Sequence, residues 1–400
     1  MMKVLIQQHY LKYSRHGIKT ILTAVVILLA SPCFAKPIVI PHVTVIDRPT
    51  RYNGVILDLR QGSFLVINNA TLQIENSTIN GTISPANPSL INVINGNILL
   101  KNNKVHVMAA NITPDPITPS IYYVINVAKG IVTLSKNMFN VNQAYTVGLL
   151  TTGKFATNHF DISFNKIQNF HGGILLKYSS QALVAHNRFL NVSISNIFTL
   201  GGNDNVIKNN TLLFPGNNDV GDGIDVIDSS NIILIKNYIA LGSCYSVVVL
   251  RGTNVYIDRN MITGGITYAV YITSSIGLKD DSNRFLLPLI EKDIPLTDLY
   301  SNKNIQITNN YLAQNRYGLA AKNVDGLIVK DNVFSQRFLS ASNRKFWTNN
   351  DVLLQDNVNV HWEHNLYKEA FTQEPKGNNS YSSKLVEFPL HNGVILSRKK

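Results

Sequence analysis

Residues 223–239 of this 400-residue chain read Gly223-Ile-Asp-Val-Ile-Asp228-Ser-Ser-Asn-Ile-Ile-Leu234-Ile-Lys-Asn237-Tyr-Ile239, two phrases joined by a pair of serines. The second phrase is an aliphatic residue, two others, Asn, one other, then an aliphatic or aromatic residue. It recurs as Leu100…Asn103…Val105, Leu134…Asn137…Phe139, Ile162…Asn165…Ile167, Val184…Asn187…Phe189 and Ile207…Asn210…Leu212, with further copies at Asn260, Asn310 and Asn332 and weaker ones at Asn283 and Asn365. The first phrase opens thirteen or fourteen residues before most of these Asn and returns as Gly173-Ile-Leu-Leu-Lys-Tyr178, Ser246-Val-Val-Val-Leu-Arg251, Ala269-Val-Tyr-Ile-Thr-Ser274 and Gly318-Leu-Ala-Ala-Lys-Asn323. Each is a short strand pattern closed by turn residues. No helical period falls between them. Two or three strands in every 22–28 residues predict an all-β solenoid of parallel strands, roughly 11–12 coils deep, in which each coil hydrogen-bonds to the next and the core is one continuous stack.

The composition agrees. The chain holds 49 Asn, is 45% hydrophobic and only 15% charged, a poor recipe for helices and far too apolar for disorder. The repeated Asn has a structural task, because Asn tolerates the left-handed backbone of a tight corner and its amide can form a ladder with the Asn of the next coil.

Residues 1–35 read as a secretory signal: a basic stretch ending at Lys19, the apolar run Ile21 to Ala30, and small residues before a cut after Ala35. The secreted chain keeps only Cys244, so no intrachain disulfide forms, and Cys244 is assigned to the core. No later segment is long and apolar enough to span a membrane. Secreted or periplasmic placement argues against nucleic acid as partner despite the formal charge of +12. The basic balance points instead to a polyanion outside the cytoplasm. The organisation expected is signal 1–35, solenoid 36–367 with Lys36 to Asn53 capping its start, and a cap or tail over 368–400.

This repeat resembles the right-handed parallel β-helix superfamily of pectate lyases, polygalacturonases, alginate-modifying enzymes and phage tailspikes, over residues 53–367. The longest inserts, 106–122, 213–222, 286–296 and 335–350, all follow a repeated Asn and are expected to overhang one edge of one sheet, the usual place for a binding face.

Alternation in the first phrase turns Ile224 and Val226 inward and Asp225 outward. Stacking the coils in register then gathers Lys177, Asp225, Tyr271 and Lys322 on outward columns, and Tyr178, Asp228, Arg251, Ser274 and Asn323 at the following corner. Asp219 and Asp222 arrive from the insert before the strand, and His171 from the coil below. Two carboxylates can serve as general acid and base, and several together can hold Ca²⁺, the one cofactor the sequence suggests. A spacing of three does not put all four Asp on one strand face.

A narrower resemblance joins Asp222-Gly223-Ile224-Asp225 to the Asn-Thr-Asp-Gly-X-Asp motif of polygalacturonase-type hydrolases, with Val220-Gly221 in place of Asn-Thr. It carries over Asp222, Asp225 and, from the Arg-X-Lys motif, Lys322, with Arg316 just upstream. Where that family has Gly-Asp-Asp this chain has Gly242-Ser243-Cys244, and near Gly264-Gly265-Ile266 the His of Gly-His-Gly is missing. The general acid is therefore absent at its expected place. β-Elimination asks for a base and a charge neutraliser, which β-helix lyases supply as Lys, Arg or Ca²⁺, and here Lys177, Arg251 and Lys322 are the candidates. Asp222 and Asp225 would orient the sugar or a Ca²⁺. Tyr178 and Tyr271 are candidates to stack on sugar or relay a proton, Asp228 to bind it, and Trp347 to close over it. The sequence thus leads to an acidic-polysaccharide lyase, with a non-catalytic glycan-binding protein as alternative and a hydrolase or periplasmic accessory protein behind them.

Overall fold

Three short strands per coil follow from the two phrases. In the coil quoted above they are Asp222–Ile227, Ser230–Ile235 and Tyr238–Ala240. The computed structural model describes residues 37–368 apart from 41, 61, 115–121, 145, 153–158, 214–220, 241–244, 266, 275–301, 314, 316 and 336–351, together with the strands Asn379–Tyr381, Val386–Pro389 and Ile395–Arg398. Every strand of a coil pairs in parallel with its counterparts above and below, as Asp222–Ile227 does with Ser195–Leu200 and Tyr245–Leu250. The third strands stack thirteen deep in strict chain order, from Ile38–Val39 to Leu366–Lys368. The molecule is a right-handed parallel β-helix with a continuous aliphatic core.

It is slightly longer than the Asn count implies, because its first coils carry no ladder Asn. Residues 38–53, expected as a cap, pair in register with the next coil as a coil of the helix itself. At the other end Asn379–Tyr381 pairs with Asn357–Glu363, and Val386–Pro389 forms an antiparallel pair with Ile395–Arg398. Among the described residues there is no helix, and so none long and apolar enough to cross a membrane. The signal and its cut after Ala35 lie outside the described residues.

The ladder runs unbroken through Asn103, Asn137, Asn165, Asn187, Asn210, Asn237, Asn260, Asn310, Asn332 and Asn365. In each step Nδ2 donates to the next Oδ1 at 3.0 Å. That oxygen also accepts the preceding rung's backbone N–H, for example Asn187 N–H to Asn210 Oδ1 at 2.9 Å. Two expectations change here. The left-handed residue is the one before each ladder Asn, from Asn102 (φ 54) through Lys136 (56), Phe164 (58) and His186 (55) to His364 (51). The ladder Asn follows that corner with its amide turned into the core, where Nδ2 bonds both the next amide and a strand carbonyl, as Asn187 does with Ile162 at 2.7 Å. Asn283, outside the described residues, is no rung, since Asn260 bonds Asn310 directly.

In chain order 275–301 therefore fall between the first strand Tyr268–Thr273 and the second strand Asn302–Thr308 of one coil. That is the corner after the first strand, not the one after the Asn phrase. Residues 153–158 fall in the same interval, between Gly148–Thr152 and His159–Ser163, whereas 214–220 and 336–351 precede a first strand in chain order. In chain order the long segments thus follow the first strand in some coils and precede it in others, rather than all following a repeated Asn.

Candidate functional site

The first strands do not alternate simply at their start. In Tyr268–Thr273, Ala269 and Val270 both lie in the core, which turns Tyr268 and Tyr271 together to the outside, their rings 5.3 Å apart. The same step occurs one residue after Asp222: a Cβ on Gly223 would meet the Ser246 carbonyl oxygen at 2.3 Å and Ile239 Cγ2 at 3.1 Å, and Ile224 follows it into the core. A spacing of three is thus what puts Asp222 and Asp225 on one face, contrary to the simple-alternation reading.

Both carboxyls are 0% exposed, so they are not groups of a solvent-facing strip. Asp222 Oδ1 accepts the Tyr245 N–H at 3.0 Å. Asp222 Oδ2 and both oxygens of Asp225 have no hydrogen-bond partner, and neither has the neighbouring Ser195 Oγ. Buried leucine, isoleucine and phenylalanine (Leu175, Ile194, Phe198) lie on one side of the pair and the ring of Tyr245 on the other. Burial, reinforced by the charge of Asp225, drives Asp222 well above the usual carboxylate range. Burial likewise pushes Asp225 up to about 7. Near neutral pH the pair holds protons that water-exposed carboxyls would have lost.

Above the carboxyls the same two columns turn aromatic. Tyr245, Tyr268 and Tyr317 follow Asp222 coil by coil, and Tyr271 follows Asp225 after Val248. The rings stack: Tyr245 on Tyr271 at 4.7 Å, Tyr245 on Tyr268 at 5.8 Å and Tyr268 on Tyr317 at 4.6 Å. Tyr245 is buried, while Tyr268, Tyr271 and Tyr317 are half-exposed. Tyr245, Tyr268 and Tyr317 were not singled out from the sequence, yet a signal existed. Each stands immediately before a copy of the first phrase, where Asp222 stands in its own coil.

The other candidates are spread more widely than expected. Lys177 pairs with Leu200, then Ile227, Leu250 and Thr273, and Lys322 follows the Ala321 that pairs with Ile272. The two lysines are therefore five coils apart, about 24 Å at ~4.8 Å per coil. Lys322 is one coil above Tyr271 and two residues along, on the platform's border. Tyr178, Asp228, Arg251 and Asn323 do share the corner column, all in the left-handed conformation. There Arg251, 7% exposed, clamps Asp228 with Nε on Oδ1 at 2.6 Å and Nη2 on Oδ2, so its charge is already matched. Burial outweighs the guanidinium in setting the Asp228 carboxyl, which remains raised. The Tyr178 ring packs where a Cβ on Gly201 (φ 63) would be, 2.7 Å from two ring carbons. His171 is buried two coils below the Asp222 coil, its Nδ1 3.0 Å from Ser193 Oγ. Asp219, Cys244, Arg316 and Trp347 lie outside the described residues.

The fold places the chain among the right-handed parallel β-helix proteins. Residues 133–319 match a family described as "NosD: Periplasmic copper-binding protein (NosD)". No curated protein matches the chain. Among solved structures, the periplasmic alginate epimerase AlgG is similar at 13% identity and TM-score 0.46, over 85% of this chain and 77% of that one. A tailspike protein mutant of E. coli bacteriophage HK620, in complex with a pentasaccharide, is similar at 12% identity and TM-score 0.41, over 89% of this chain and 58% of that one. Copper sites are built from thiolate, thioether and imidazole ligands. Among the described residues no three His, Cys, Asp or Glu side chains converge to hold a metal ion.

Proposed function

We propose that this is an exported protein that engages an acidic, uronate-containing polysaccharide along the outer face of its first-strand sheet. The observation that carries this reading is the half-exposed stack of Tyr268, Tyr271 and Tyr317 with Lys322 on its border. Aromatic rings give flat apolar faces for sugar rings and a phenol for their hydroxyls, and the ammonium matches a uronate carboxylate.

Binding without cleavage is the form the geometry favours. The Asp222–Asp225 pair is buried, Arg251 is neutralised by Asp228, and Lys177 lies five coils from Lys322. The second reading, β-elimination, is favoured by Lys322 standing one coil from the Tyr271 hydroxyl side chain, a base next to a proton relay. Titration with pectate, alginate and glycosaminoglycan oligomers, read beside unsaturated-uronate absorbance and reducing ends, decides between them. Tyr268→Ala/Tyr271→Ala is expected to weaken binding at least about tenfold. Absorbance growth lost in Lys322→Ala would make the protein a lyase. Unchanged affinity in the tyrosine variant would remove this face from the function.

A further inference from the structure

The ladder corner, between second and third strands, carries its own chemistry. Over six consecutive coils it reads Lys101-Asn-Asn-Lys104, Ser135-Lys-Asn-Met138, Ser163-Phe-Asn-Lys166, Ala185-His-Asn-Arg188, Lys208-Asn-Asn-Thr211 and Ile235-Lys-Asn-Tyr238. These six corner tetrapeptides hold seven cations and no acid. At this corner position acids return in the flanking coils, at Glu75 below and Asp258 above. Lys104, Lys136, Lys166, Arg188 and Lys236 are exposed, and none of them forms an ion pair among the described residues. Such a one-sign column stacked at the coil repeat costs self-repulsion, which a stability argument does not explain.

Phe164 makes the case specific. It occupies the left-handed corner position (φ 58), where a non-glycine residue costs roughly 1–2 kcal/mol and where Asn102, Asn209 and Asn309 do the same task at less strain. It is 55% exposed, so burial does not offset that cost. One face of its ring lies on His186, with centroids 4.6 Å apart and planes 1° from parallel. Phe164 also forms a wall of a groove of about 540 Å³ whose other walls include Lys104, Lys136, Lys166, Met138 and the amide of Asn102.

We propose that this corner is a second polysaccharide site, in which a linear carboxylate-bearing glycan runs along the ladder axis. One sugar ring stacks on Phe164 within the groove, and its carboxylates face Lys104, Lys136 and Lys166. The groove is also lined by the amides of Asn76 and Asn102, which bond each other at 2.8 Å and keep acceptor capacity for sugar hydroxyls, and this neutral hydrogen-bonding wall beside the lysines favours a glycan over a nucleic acid. The inference shares its ligand class with the reading of the tyrosine platform, but none of its residues.

The test titrates oligogalacturonate into the full chain and into Tyr268→Ala/Tyr271→Ala, each with and without Lys136→Asn/Phe164→Asn. Asn is chosen because it holds the same left-handed corner in neighbouring coils, so the fold is kept. Lys166→Gln, on a strand, is a second and conformationally neutral variant. In the platform-deficient background, binding is expected to persist and to weaken as salt rises. The corner double variant should then weaken it about tenfold, and Lys166→Gln by a smaller factor. Unchanged affinity in both corner variants overturns the inference. Complete loss in the platform variant alone also overturns it and leaves the platform reading standing. Loss in the corner variants with none in the platform variant upholds it and removes the other. Displacement of the uronate by an oligothymidylate of equal charge at lower concentration overturns the glycan assignment.

Discussion

Asp222 and Asp225 show how one glycine changes the meaning of a motif. Gly223 permits the close approach to the Ser246 carbonyl that turns both carboxyls to one face, and burial then raises both. An unfolded Asp titrates near 3.9, whereas in the fold Asp225 titrates at about 7 and Asp222 above the ordinary range. Between those values the folded protein holds protons that the unfolded chain releases. Stability therefore falls as pH rises from about 4 through about 7, by ~1.4 kcal/mol per pH unit for each such proton. Asp225→Asn, which removes the ionisable group and keeps its shape, should shrink the difference between melting temperatures at about pH 5 and about pH 8 and raise the latter. An unchanged difference would mean that the pair titrates as it does in water. The sequence made Asp222 and Asp225 visible as a motif, because spacing is local. Their burial was not visible, because it depends on Tyr245, Ile194 and Phe198 from neighbouring coils.

At the scale of the element, the ladder was the most legible feature, since one Asn per coil at a fixed place after each strand is a one-dimensional signal. Its division of labour was not: the left-handed backbone belongs to the preceding residue and the amide bonds to the Asn. The two therefore respond differently to mutation. Asn187→Ala removes the rung to Asn210, the bond to the Ile162 carbonyl and the acceptor of the Asn165 N–H and amide, and is expected to cost roughly 2–5 kcal/mol. His186→Asn, one residue earlier, should be neutral or stabilising by up to about 1 kcal/mol, because Asn tolerates φ 55 better than His. Urea midpoints of the two variants check both signs. The spurious coil at Asn283 arose because a chance Asn at repeat spacing carries the same local signal as a rung, and only the bond from Asn260 to Asn310 distinguishes them.

At the scale of the molecule each coil touches only the coil above and the coil below, so stability is close to a sum of coil and interface contributions. Deleting residues 166–187, one full repeat of 22 residues between rungs, should leave Asn165 where Asn187 was. It also removes His171, Lys177 and Tyr178 together. The shortened chain is expected to keep a β-rich far-UV spectrum, a cooperative melt and the glycan affinity of the tyrosine platform, with a lower melting temperature. A spectrum of unfolded chain would show that the coils are not interchangeable units. The amino-acid sequence by itself determined the solenoid, its repeat, its ladder positions and the corner column of Tyr178, Asp228, Arg251 and Asn323, because these follow from short-range patterns repeated at a regular interval. Only the tertiary structure decided which of those residues meet. It took Arg251 out of play by pairing it with Asp228, separated Lys177 from Lys322 by five coils, buried Asp222 and Asp225, and raised the tyrosines into a platform. Contact across coils is made between residues of different repeats, as Arg251 meets Asp228 and Tyr271 meets Tyr245, and a local pattern fixes the place of each side chain in its own coil without fixing what the adjacent coil sets beside it.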